Sequence, residues 1–220
     1  MYFKKAFLST LLIMGTAAAY GYDKTLYVNE GHRETHGGSA IVRKSGQLDA
    51  YDGAQVAAYD NAVVNLYDTC VCEGYGNSMI NAKSHSKVKA FENCHVYAFN
   101  SAEIDANGSS MIEARDNASV VAHGNAQVFA TDGATVRAYD NAKVVALGNS
   151  KVEAFGNVVV DAGGNAEVSA SNNVVVKGKD YSFLSAKDNA TVEAYDDANV
   201  SHTKDVVVKR HDRAKAKLAE

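Results

Sequence analysis

Residues 46–213 divide into 21 consecutive units of eight residues with neither insertion nor deletion. A clean copy is Ala142-Lys-Val-Val-Ala-Leu-Gly-Asn149, whose positions we label a to h. Position c is Val, Ile or Leu in 20 of the 21 units, Cys72 being the exception, and position e is Ala in 16. Position a is mostly Ala or Ser. Positions g and h are rich in Asp, Gly and Asn, as at Asp60, Asn61, Gly124, Asn125, Asp140, Asn141, Gly156 and Asn157.

Apolar residues at a, c and e alternate with variable ones at b and d, the period of two expected of a strand with one buried face. A helix would wind such residues around its axis, and a turn pair every eight residues would break it. Gly and Asn tolerate positive φ and Asp binds nearby amides, so g and h read as corners. Each unit is then a strand of about five residues, roughly 16 Å long. One such strand cannot bury its inner face alone, so the units must stack. The fold class predicted is all-β, a single-domain parallel β-solenoid.

Position h sets the coil length. Taking alternate units, Asn61, Asn77, Asn93, Asn125, Asn141, Asn157, Asn173 and Asn189 fill eight of ten places, against three of eleven in the other set. The Val-Val-Val runs starting at Val158, Val174 and Val206 are also spaced by multiples of 16. The reading favoured is a flattened two-sheet coil of 16 residues with this Asn ladder along one edge; the alternative is a triangular β-helix of 24-residue coils. The chain has no proline and no tryptophan. Stacked strands need nearly every backbone N–H, and an Ala-Val-Ala layer leaves no room for an indole. At f, Tyr59, Tyr75 and Phe91, then Tyr139 and Phe155 after a break at Asn107 and His123, read as a stabilising aromatic ladder.

Lys4 and Lys5, an apolar run over residues 6–14 and small residues ending at Ala19 have the form of a secretory signal peptide, residues 1–19. Residues 20–45, with Glu30, His32, Arg33, Glu34 and His36, are predicted to form an N-terminal cap ahead of the solenoid at 46–203. His202 and Arg210 fall at the inward e position, and residues 204–220, basic at Lys209, Arg210, Arg213, Lys215 and Lys217, read as a capping tail containing a short helix. Export is expected, to the periplasm, the outer surface or the medium, with no membrane span in the mature chain.

Motifs for catalysis are missing: there is no G-x-S-x-G, no phosphate loop and no H-E-x-x-H. With 22 basic and 26 acidic residues there is no electrostatic footprint for nucleic acid. No cofactor and no metal are expected. Cys70, Cys72 and Cys94 lie at inward positions and read as free buried thiols. Asp residues at g fall one coil apart, as Asp180, Asp196 and Asp212 do, and turn capping accounts for them, a shared calcium being the alternative.

The two outer faces differ. One carries a large apolar residue in each of eight successive coils: Val63, Met79, Tyr97, Met111, Phe129, Val145, Val159 and Val175. The other has Val71, Val121 and Phe183 among Lys87, Glu103, Arg137, Glu153 and similar charges. A continuous apolar stripe predicts an interaction face, for a second copy or for an envelope partner.

The run Asn141-Ala-Lys-Val-Val-Ala146, followed by two further residues per unit, resembles the vocabulary of bacterial short-repeat β-solenoids, notably the hexapeptide left-handed β-helix group. That resemblance implies a solenoid over residues 46–203. It also implies the alternative function, a hexapeptide-like acyltransferase or other sugar-modifying β-helix enzyme with a catalytic His and a cofactor site between subunits. Here the period is eight rather than six, and the seven histidines share no column. The function expected is that of an exported, non-catalytic envelope module, structural or adhesive.

Overall fold

The computed structural model describes residues 25–219, which form twenty-five β-strands and no helix. The expected signal peptide and residues 20–24 of the expected cap lie outside the described residues. Successive strands alternate between two parallel sheets, one of 13 strands and one of 12, and each pairs with strands two places away in sequence. From Ser39 onward each residue pairs with the one sixteen later, from Ser39 with Gln55 to His202 with Leu218. The coil therefore has two sides and 16 residues, and the triangular arrangement does not occur.

The inner layer is built from positions a, c and e of both sheets. Val64, Ala82, Val136 and Ala154 are fully buried, and the outer residues at b and d, Ala57 excepted, stay partly or wholly in solvent. Because each inner side chain is small, cohesion rests on the backbone ladders and on like residues stacked between coils. At two places position e is glycine. A Cβ at Gly178 would collide with Leu184 Cδ1 and Ser182 Oγ, and one at Gly74 would lie 2.5 Å from Ile80 Cδ1 and 2.6 Å from Cys94 Sγ. Glycine at e thus makes room for a longer c residue in the next unit.

Corners repeat one arrangement. The carbonyl at f accepts from the amide at the next a, as Tyr59 does from Ala62 at 3.1 Å and Tyr139 from Ala142 at 3.2 Å. In every unit but that of Lys204, residue g takes a left-handed conformation, with φ of 60° at Asp60, 59° at Asp140 and 55° at Asp180. Asp and Asn accept this conformation more readily than other residues with a Cβ. Their side chains then reach back one coil: Asp140 Oδ2 accepts from the Gly124 amide at 3.0 Å, and Asp180 Oδ2 from the Gly164 amide at 2.8 Å. Two properties of aspartate, its backbone tolerance and its carboxylate, therefore explain the enrichment at g.

The coils run further at both ends than the eight-residue units do. Leu26–Val28, His32–His36 and Ser39–Val42 are strands of the same two sheets, not a separate cap. The spacing there is tighter: Leu26 pairs with Ala40, fourteen positions on, and His32 with Gln47, fifteen on, which hides these coils from an eight-residue count. At the other end the expected short helix is replaced by the strands Val207–Arg210 and Lys215–Leu218. Arg33 pairs with Leu48 and Arg210 with Ala194, so a charged residue stands at an inward position of each outermost coil of the 12-stranded sheet. Both arginines are exposed, and with Lys215 and Lys217 on the last strand they oppose addition of further strands.

Substituting Gly178→Ala is expected to lower stability by about 1–3 kcal/mol through overpacking against Leu184. Adding Leu184→Val, the commonest residue at c, should restore most of the loss. Urea unfolding of the single and double variants measures both steps.

Candidate functional site

Among the described residues no strand connection is long enough to fold over the outer sheet faces or the two edges, so these are the candidate surfaces for function. All eight residues of the expected interaction face lie on the outside of the 12-stranded sheet, in two neighbouring columns. Val63, Met79, Met111, Val159 and Val175 occupy position b, and Tyr97, Phe129 and Val145 occupy d. Met79, Met111, Phe129, Val145, Val159 and Val175 are between 37% and 45% exposed, so much of each side chain meets solvent. The stripe crosses from one column to the other, with Glu113 beside Phe129 and Val145 beside Asp161.

The 13-stranded sheet has a different surface. Cation and anion alternate between coils, giving pairs Lys87–Glu103 at 2.8 Å, Arg137–Glu153 at 2.9 Å and Lys151–Glu167 at 3.1 Å. Towards the C-terminus, Ser169, Ser185 and Ser201 stack at position d, and their short side chains leave an open trough of about 690 Å³. Phe183, 53% exposed, stands in its wall. The sequence singled out Phe183 but not the serine column, whose depth depends on three residues sixteen apart.

Each edge carries a broken aromatic ladder. On the edge with the Asn column, Tyr59, Tyr75 and Phe91 stack at 5.1 and 4.9 Å. Farther along, His123, Tyr139 and Phe155 stack at 4.9 and 5.4 Å, so His123 extends the ladder instead of interrupting it. The opposite edge has a ladder the sequence reading missed: His36, Tyr51 and Tyr67 are stacked, and Lys83 lies 4.9 Å from the Tyr67 ring centroid. Within the Asn column, Asn157 donates to Asn141 and Asn173 to Asn157, both at 3.4 Å. A shorter amide ladder stands on the 12-stranded face, where Asn65 donates to Asp49 at 2.6 Å and Asn81 to Asn65 at 2.7 Å. Its signal in the sequence was Asp, Asn and Asn at one outer position in consecutive coils.

Titratable groups are held by these ladders. Lys209, hydrogen-bonded to Glu193 and adding its positive charge, keeps that carboxyl below its ordinary range. Burial, assisted by a hydrogen bond to Glu73, pushes the Tyr75 phenol up. Among the described residues no group of three His, Cys, Asp or Glu side chains could hold a metal ion. Of the stacked g carboxylates, Asp140, Asp180 and Asp196 each accept from a backbone amide of the preceding coil.

Cys70, Cys72 and Cys94 are free and buried in the inner layer. Burial raises all three thiols, Cys72 well above its ordinary range and Cys94 to about 11, the hydrogen bond to Ser78 acting in the opposite sense. An elevated native thiol stays neutral while the unfolded thiol ionises. Its contribution to stability is therefore complete below the ordinary value of 9.0 and is lost as pH rises towards about 11. Native protein at pH 8 should react only slowly with iodoacetamide. Its urea midpoint should fall between pH 9 and about 11, and Cys94→Ala, which installs the usual residue at a, should flatten part of that fall.

No family model, no curated protein and no solved structure matches the chain.

Proposed function

We propose that this chain is an exported, non-catalytic rod that serves the cell envelope as a structural or adhesive module. The observation that carries this reading is the constancy of the sixteen-residue spacing from Ser39 to Leu218, which lays the outer side chains out in columns along the rod. Such columns form an extended, repetitive surface suited to contact over many coils. A pocket with converging polar groups needs inserted loops, and residues 46–213 contain no insertion. His36 and His123, stacked on Tyr51 and Tyr139, belong to the edge ladders, which also favours a structural over a catalytic use. Export rests on the signal-like residues Lys4, Lys5 and Ala17 to Ala19.

Fractionation of the native cell with N-terminal sequencing tests export. The expected product begins at Tyr20 and is found outside the cytoplasm; an intact chain confined to the cytoplasm contradicts the proposal. Arrays of surface glycans and purified envelope fractions then separate the two forms of the function, an adhesive module binding selectively and a structural rod binding none.

A further inference from the structure

We propose that the outer face of the 12-stranded sheet binds a second copy of this chain, the two rods antiparallel about a two-fold axis between the strands Met111–Ala114 and Gln127–Ala130. This deepens the proposed function by naming the partner of one face, and it rests on the reading of that face as a contact surface. Axial stacking and the N-terminal half of the 13-stranded face are opposed by charge. Arg33 and Arg210 stand at inward positions of the outermost coils, and Lys215 and Lys217 line the final strand, so axial stacking would bring charges against unpaired backbone. On the 13-stranded face, Lys87, Glu103, Arg137 and Glu153 are already paired between coils and half-exposed.

On the remaining face, inverting the order of coils brings three apolar pairs together. An axis lying in the interface and parallel to the strands inverts the order of coils but keeps position along the strand, so b meets b and d meets d. Val63 then falls opposite Val175 of the other copy, Met79 opposite Val159, and Tyr97 opposite Val145. His95 faces Lys143, Asn81 faces Asp161 and Asn65 faces Lys177, while at the axis Met111 meets Gln127 and Glu113 meets Phe129. At the rim Asp49 faces Glu193, but each carboxylate already has a partner on its own copy, His32 Nε2 at 3.1 Å and Lys209 Nζ at 3.3 Å. A two-fold along the rod is worse: it sets Met79 against Asn81, Met111 against Glu113, Val159 against Asp161 and Val175 against Lys177. A self-complementary patch of this kind is what an isologous dimer requires. Eight strands, each of four residues, present about 500 Å² per copy, so the pair covers about 1,000 Å², the lower bound for a specific interface.

Light scattering on the purified chain should give twice the mass of one chain, and Val145→Lys, opposite Tyr97, or Val159→Lys, opposite Met79, should return it to one. These positions tolerate lysine in the fold, since Lys143 and Lys177 occupy the same two columns. Register is read by oxidising a Val63→Cys/Val175→Cys variant, which should form covalent dimers. Val63→Cys alone should not, because the two copies of residue 63 would be about 34 Å apart. A single-chain mass at high concentration, a dimer indifferent to both lysine variants, or equal cross-linking by Val63→Cys alone overturns the proposal. A monomer found outside the cytoplasm overturns the dimer and leaves the proposed function standing; an intact cytoplasmic chain does the reverse.

Discussion

The ladder of backbone hydrogen bonds between residues sixteen apart is the constraint on which everything else depends. Side chains of the Ala-Val-Ala layer bury little area each, so no single contact fixes the fold. Instead every strand between the ends is held by two neighbours, and a shift of one residue would turn its whole inner set to solvent. That penalty, repeated over both sheets, explains why c stays aliphatic and e stays small. It also explains why exceptions come in compensated form, as Gly178 does beside Leu184.

Corners complete the constraint. A coil can close after sixteen residues only if the chain reverses twice, and at every corner of residues 46–213 but that of Lys204 it does so through a left-handed residue. Aspartate at g meets that need and adds a bond to the coil before it, so turning and stacking are coupled at one residue. Outer positions b and d are free of these demands and have diverged by face. One sheet carries inter-coil ion pairs and a serine-floored trough, the other a two-column apolar stripe. Whatever distinguishes this rod from another of the same coil is written at those positions.

Much of this was legible in the sequence. Alternation at a, c and e announced strands, and the unequal Asn content of alternate h positions announced a two-sided coil. The ends were not legible, because spacings of fourteen and fifteen break the period that revealed the rest, and because Arg33 and Arg210 put charge where the pattern expects Ala or Val. Contacts between coils were harder to see than contacts within a unit. The Asp49, Asn65 and Asn81 ladder, the Tyr51 and Tyr67 stack and the part played by His123 appear only when residues sixteen apart are placed side by side. The trough is less legible still, since it arises from the shortness of Ser169, Ser185 and Ser201 relative to Glu153 and Lys217 in the same column.

The coil itself is tested most directly by a distance. Lys87 and Glu167 share one outer column of the 13-stranded sheet and are separated by five coils. Nitroxide labels on a Lys87→Cys/Glu167→Cys variant, diluted with unlabelled chain, report their separation by pulsed electron paramagnetic resonance. A sixteen-residue two-sheet coil predicts one narrow distribution centred near about 24 Å. A broad distribution, or a centre far from that value, would contradict it.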